Sequence, residues 1–294
     1  MRPLRLATAL VFLSASAVGA QGPCPPPDSA RVAVDHVPVA VRDLDAAVAD
    51  FRALGFSFKP GRPHPNGILN QHLKFRDGTE VELITATGPR DTLARDYVEF
   101  LRGGEGGAFA ALEGAPDSVF AALEGVTPGV RAGGGGYARW VDWRYGDPLR
   151  YLFIIRLDSR PVDLPEQVTH ANTAIRLHAI WLRRADTGPE RRLLARLGGR
   201  VCPSAVALPA GRAAEVRLRT GSVYLVADGT AETRRAVAGV TLEVTDVRAA
   251  RRAMRLPASV AREGRDARGR WLRVPPERAH GIWLELLQPN RARR

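Results

Sequence analysis

Asp35-His36-Val37-Pro38-Val39-Ala40-Val41-Arg42-Asp43-Leu44-Asp45, running on to Leu54-Gly55-Phe56, decides how the rest of this chain is read. Alternate residues of a strand share a face, so His36, Pro38 and Ala40 lie on one side and Val37, Val39 and Val41 on the other. Asp43 supplies a helix N-cap. Leu44, Ala47, Val48, Phe51 and Leu54 then recur at helical spacing, and Gly55 closes the helix. Residues 61–70 form a loop rich in Gly, Pro and Asn. A strand at 71–75, a turn at Asp77-Gly78 and a strand at 79–85 follow, the last carrying Glu80-Val81-Glu82-Leu83-Ile84. The unit is strand, helix, further strands, with a His at its opening and a Glu at its end.

That unit recurs. The helical pattern returns at 116–123, 189–198 and 245–254, each time after an apolar strand and before others. A His-bearing opening returns at Leu177-His178-Ala179-Ile180-Trp181-Leu182, and a Glu-bearing ending at Gly281-Ile282-Trp283-Leu284-Glu285-Leu286-Leu287. Four units are expected, in two pairs. The first pair spans 31–158 and the second 174–289, with a Pro-bearing connector at 159–173 and a basic tail at 290–294. Gly133–Gly136 is expected to be a loop inside the second unit; no Lys-Ser/Thr follows it, so it lacks the marks of a phosphate cradle.

The ends and the charge bound the setting. Arg2 and Arg5, an apolar run over 6–17 and the small residues Val18-Gly19-Ala20 have the form of a secretory signal over 1–20, followed by a Pro-rich arm at 21–30. A periplasmic or secreted location is the expectation. The apolar run is too short for a transmembrane span, and no later stretch reaches spanning length without a charge. In an oxidising compartment Cys24 and Cys202 are expected to pair, the alternative being two free thiols. The formal charge is +12, yet no basic stretch is interleaved with aromatics and almost every cation is an Arg, so nucleic acid is not an expected partner. No nucleophile elbow or dinucleotide fingerprint appears, so no organic cofactor is expected.

The opening from Asp35 to Asp45, with Leu54-Gly55-Phe56, resembles the start of glyoxalase-like domains of the vicinal oxygen chelate (glyoxalase/bleomycin resistance/extradiol dioxygenase) superfamily. Glu80–Ile84 matches the strand that closes their first module. Pro276-Glu277-Arg278-Ala279-His280-Gly281-Ile282-Trp283-Leu284-Glu285-Leu286 resembles the closing strand of methylmalonyl-CoA epimerase-like members. The resemblance covers most of the chain beyond the leader, and most strongly its first unit and last strand. It implies an α+β fold of four βαβββ modules, paired into two halves whose sheets form cups. It also implies a divalent metal, where one is kept, held by residues of first and last strands.

By position, that ligand role carries to His36 and Glu82 in the first pair, and to His178 and Glu285 in the second. Imidazole with carboxylate suits Zn, Ni, Mn, Fe or Co. Each pair then offers only two ligands, because the third unit closes on Tyr224, the fourth opens without a His, and the second unit has neither. If the first and third units faced each other, His36, Glu82 and His178 would make a two-His-one-carboxylate set. Glu82 and Glu285 are also candidates to move a proton, as are His64 and His72 near the first loop, since an unperturbed His titrates near neutrality. Two functions are open at this point. One is a divalent-metal-dependent lyase, isomerase or dioxygenase acting on a small oxygen-rich substrate. The other is a metal-free protein of the same fold that binds or sequesters a small molecule. The sequence leaves the oligomeric state undecided.

Overall fold

The computed structural model describes residues 24–123, 131–135, 138–142, 148–159, 162–229, 235–257 and 259–290. The expected leader at 1–20 and the last four residues lie outside them. The order strand, helix, three strands occurs four times: β1 (Val32–Ala40), α1 (Leu44–Ala53), β2 (Lys59–Pro60), β3 (Ile68–Lys74) and β4 (Glu80–Ala86) come first. A helix, α2 (Thr92–Arg102), and a short strand, β5 (Gly106–Gly107), intervene. Next are β6 (Ala110–Gly114), α3 (Pro116–Leu123), β7 (Arg131–Gly135), β8 (Ala138–Asp142) and β9 (Leu152–Leu157). The third set is β10 (Ala174–Arg184), α4 (Gly188–Arg196), β11 (Arg200–Leu208), β12 (Gly211–Arg217) and β13 (Ser222–Ala227). The last is β14 (Val237–Val244), α5 (Val247–Ala253), β15 (Arg262–Asp266), β16 (Gly269–Val274) and β17 (Trp283–Pro289).

Pairing gives two runs of the same plan. In the first half the order is β2-β3-β4-β1-β6-β9-β8-β7, with β1 parallel to β4 and antiparallel to β6. In the second it is β11-β12-β13-β10-β14-β17-β16-β15. The pair β5 joins both runs, bonding to Val39 and Ala40 of β1 and to Val237 of β14. One face of each run carries the helices. Val37, Val39, Phe51, Leu83, Ile180, Leu182, Leu242 and Leu284 belong to one buried cluster that runs through both halves, as the alternation of β1 requires.

Two details depart from the sequence reading. Gly133–Gly135 is strand, paired with β8, rather than loop; Gly136 lies outside the described residues. Backbone pairing needs no side chain, so a glycine run at an outer position can still form a strand. The helix α2 is not announced by the repeated unit. Its marks are Asp91, whose side chain accepts from the Ala94 amide at 2.7 Å, and Leu93, Tyr97 and Phe100 at helical spacing.

The halves are locked by polar contacts as well as by the core. The connector turns back onto the first unit at Asn172, which is fully buried and donates its Nδ2 to the Leu54 carbonyl at 3.0 Å. Gly55 permits this approach: its φ is +88°, and a Cβ there would sit 3.1 Å from Asn172 Cβ. His170 accepts from the Ser57 amide at Nδ1 (3.0 Å) and, through Nε2–H, donates to the Lys74 carbonyl (2.9 Å). That pattern requires the neutral ring; burial, helped by the Arg76 charge, leaves its pKa lowered although the bond to the Lys74 carbonyl acts to raise it. Arg235 of the second half donates to the carbonyls of Gly104 (2.7 Å) and Glu105 (2.9 Å) at the end of α2. Cys24 and Cys202 form a disulfide, which fixes the arm against the third unit. No helix among the described residues is long and apolar enough to cross a membrane.

Candidate functional site

The first half holds two connected chambers, and every residue lining them lies between Asp35 and Asp163. The larger, about 600 Å³, is polar: Asp35, Lys59, Asn70, His72, Glu80 and Asp163 line it. The smaller, about 260 Å³, is walled by Ile68, Ile84, Tyr97, Phe109, Trp140 and Phe153. His36, His64, Glu82 and Ile155 belong to both linings. The junction between a charged space and an aromatic one is therefore made by three of the residues singled out from sequence.

A β-bulge arranges the polar wall. Pairing of β1 with β6 shifts between Val34 and His36, leaving Asp35 as the extra residue. Asp35 and His36 are neighbours in sequence yet face the same chamber, 2.6 Å apart from Oδ1 to Nδ1. Strict alternation would have sent Asp35 to the opposite face, which is why the sequence reading missed it. Desolvation pushes His36 down, but the bond to Asp35 and the charges of Asp35, Glu80 and Glu82 outweigh it, holding His36 at about 9. His36 is an imidazolium at neutral pH, with Nδ1 tied to Asp35 and Nε2 left for the cavity.

Several of the other polar groups are paired as well. Glu82 accepts from Asn70 Nδ2 at 2.7 Å. Glu80 bonds Lys74 at 2.9 Å and approaches His72 Nδ1 at 3.3 Å. Burial raises the Glu80 pKa, but His72 and Lys74 overcompensate and hold it well below the carboxylate range. His72 is correspondingly raised, despite desolvation, by Glu80. Lys59 meets Asp163 of the connector at 2.5 Å, across the mouth of the cavity. His64 Nε2 is buried with no hydrogen-bond partner. An imidazolium donor at His36 and a carboxylate acceptor at Glu82 thus face one space, an arrangement that can bind an oxygen-rich head group and give it a proton.

The pKa of His36 makes a prediction about stability. Its folded value lies above the ordinary 6.5, so its contribution is complete below pH 6.5 and is lost as pH climbs toward about 9. A shift of that size corresponds to at most about 3 kcal/mol. Urea unfolding midpoints should therefore fall between pH 6.5 and 9 in the native chain and stay flatter in Asp35→Asn. Equal slopes in the two proteins would refute the dyad.

The second half places its candidates differently. Glu285 is fully buried and accepts from Thr241 Oγ1 (2.9 Å), from Arg268 Nη1 (2.7 Å) and Nη2 (3.1 Å), and from Arg273 Nε (2.7 Å). Trp181 Nε1 in turn donates to Thr241 at 2.8 Å. His178 lies at a register shift in β10. Desolvation, then the charges of Arg176, Arg217 and Arg268, depress it to about 3, so it stays neutral. Trp181 and Tyr224 are fully buried in an apolar cluster with Val206 and Leu208 that fills this side of the sheet. The structure thus brings His36, His64 and Glu82 together, sets His178 and Glu285 in the other half, and does not join His36 and Glu82 to His178.

The residues present do not fit a divalent metal as they stand. Among the described residues no group of three or more His, Cys, Asp and Glu side chains converges on a point where an ion could be held. His36 would have to shed the proton that Asp35 keeps on it. Across the first cup, β9 lines the chambers with Phe153 and Ile155 and β6 contributes no lining residue, where further donors would be needed. In the second half His178 feels the charges of Arg176, Arg217 and Arg268, with Glu243 at 3.8 Å from its Nδ1, and Arg268 and Arg273 take up Glu285, a setting that favours no cation.

A family model described as a glyoxalase-like domain matches residues 34–198. Among solved structures, the chain is similar to a xylose isomerase-like TIM barrel/4-hydroxyphenylpyruvate dioxygenase fusion protein, with TM-score 0.59 and 14% identity over 92% of this chain; it spans about half (51%) of that protein's length. It is similar to a catechol 2,3-dioxygenase with TM-score 0.55 and 16% identity, over 89% of this chain and 95% of the other. It is similar also to a 4-hydroxymandelate synthase variant from Streptomyces coelicolor, with TM-score 0.58 and 15% identity, over 92% and 94%. No curated protein matches the chain by sequence.

Proposed function

That the chain belongs to the glyoxalase-like domain family is the premise from which we propose that its first half is a receptor for a small amphipathic molecule. The observation that carries this is the shared wall of the two chambers, where His36, His64 and Glu82 stand between a polar space and an aromatic one. An apolar or aromatic body fits against Trp140, Phe109 and Phe153. An oxygen-bearing head meets the His36 imidazolium, with Glu82 and Asn70 beside it. Binding, and any proton transfer at His36, needs no metal in this reading. The leader at 1–20 and the disulfide support export to the periplasm or beyond.

The competing reading is an enzyme that uses Zn, Ni, Mn, Fe or Co as a lyase, isomerase or dioxygenase. It is favoured by the fold shared with the dioxygenases and by three candidate residues lining one cup, and opposed by a donor set that does not converge. Calorimetry with a panel of aromatic and aliphatic carboxylates separates the two. The expected result is binding by chelator-treated protein, unchanged within about twofold on adding each metal, and weakened about tenfold or more in His36→Gln. Binding or turnover that appears only after metal loading, with about one ion per chain lost in His36→Ala/Glu82→Ala, would overturn it.

A second expectation concerns pH. Affinity for a carboxylate should hold from pH 6 to 8 and fall as His36 loses its proton near about 9. The fall should move to lower pH in Asp35→Asn. An affinity that is level through pH 10 would remove His36 as the anchor.

A further inference from the structure

The positive charge of this chain is not spread evenly. Residues 31–158 hold 15 basic and 17 acidic side chains, whereas residues 174–289 hold 22 arginines against 11 acids. A compositional taste for arginine would load both halves alike, so the segregation needs another cause. The second half is also the one whose sheet face is filled by Trp181 and Tyr224 and closed by the Glu285 cluster. It has no share in the two chambers.

Part of the excess gathers on one surface. The exposed side of α5 and the segment after it carry Arg248, Arg252 and Arg255, while Val247 and Ala250 turn to the core. The strand β15 adds Arg265, exposed and on the same side of the strand as Glu263. A 3.8 Å contact between Arg251 and Glu263 shows that these elements adjoin. No exposed aromatic lies among these arginines, as stacking on single-stranded nucleic acid would want. Guanidiniums pair well with phosphate oxygens.

We propose that this face of the second half docks the protein on an anionic phospholipid surface, while the first half keeps its cup free. The choice of a bilayer rests on the exported reading, since beyond the cytoplasm a membrane is the polyanion at hand. The contact is electrostatic and peripheral: arginine heads meet lipid phosphates, and no apolar anchor inserts.

Co-sedimentation of the leader-free, disulfide-intact chain with vesicles tests this. Binding is expected to vesicles of mixed phosphatidylglycerol and phosphatidylcholine, not to phosphatidylcholine alone, and should fade as salt rises from about 0.05 to 0.5 M. Arg248→Glu/Arg252→Glu/Arg255→Glu should weaken it tenfold or more. Arg90→Glu/Arg95→Glu/Arg102→Glu, an equal charge change on exposed positions of the first half, should change it less than twofold. Failure to sediment with anionic vesicles, equal loss in the two triple variants, or capture by duplex DNA but not by vesicles would each overturn the proposal. Carboxylate binding in the cup, measured on the same proteins, should be untouched by the α5 variant, which keeps this test separate from that of the cup.

Discussion

Replacing Glu285 by Ala is expected to cost about 3–5 kcal/mol of folding free energy, the largest effect of any single substitution in the second half. Glu285 is fully buried and is the shared acceptor for Arg268 and Arg273. Taking it away leaves two largely buried guanidiniums with only Asp266 and the Ala207 carbonyl as remaining acceptors. Thr241 loses its acceptor at the same time. Gln in place of Glu keeps the shape but not the charge, and should recover only part of the loss. The cost is that of orphaned charges rather than the net worth of the cluster, and a second variant separates the two. In Arg268→Met/Arg273→Leu/Glu285→Leu every charge of the cluster's centre is gone, and stability should return to within about 2 kcal/mol of the parent. Urea denaturation of the three proteins decides it. A Glu285→Ala variant less than about 1 kcal/mol below the parent would mean that the cluster is not the closed assembly described.

The second large effect concerns the arm. Cys24 and Cys202 are 178 residues apart in sequence, and closing so long a loop restricts the unfolded chain by about 5 kcal/mol in the loop-entropy picture. The folded arm is held besides by Arg217 Nε, which donates to the Cys24 carbonyl at 3.2 Å, by Ser29 Oγ, which donates to the Gly198 carbonyl at 3.3 Å, by the Arg31 amide, which donates to the Leu197 carbonyl at 2.8 Å, and by burial of Pro27 and Ala30. Gly198 is required where the arm crosses. Its φ is +82°, and a Cβ there would lie 2.1 Å from the Ser29 carbonyl oxygen. Cys24→Ser/Cys202→Ser should therefore lower the unfolding free energy by several kcal/mol at an unchanged fold, and a reductant should do the same to the native chain. The cup lies in the other half, so carboxylate affinity should survive. A double variant as stable as the parent would show that the unfolded chain keeps the arm near residue 202 without the bond.

The loss on cleaving the disulfide and the loss on removing Glu285 are legible to different degrees in the sequence. Two cysteines behind a leader-like start suggest one bridge by elimination. Glu285, read from its strand and its resemblance to known modules, suggests a ligand, and its two arginine partners are 12 and 17 residues away, on the neighbouring strand β16 and in the turn that precedes it. Nothing in local pattern reports that Arg268 and Arg273 turn inward.

The amino-acid order alone revealed the repeating unit, because strand and helix periodicities are local and the marks at Asp43, Gly55, His36 and Glu82 sit at fixed places within it. It determined that His36 and Glu82 face one side of the sheet, since alternation of side chains is a property of the strand alone. The tertiary structure decided the chemistry. Asp35 reaches His36 only because β6 pairs with β1 through a bulge, and that contact turns a neutral imidazole into a cation. The apolar chamber exists because β9 brings Phe153 and Ile155, more than seventy residues downstream, opposite Glu82. His178 and Glu285 match the same sequence pattern as His36 and Glu82, yet burial, helped by the charges of Arg176, Arg217 and Arg268, holds one neutral, and Arg268 and Arg273 neutralise the other. Local pattern sets which face a residue takes; the charge it carries there is set by whatever the fold packs against it.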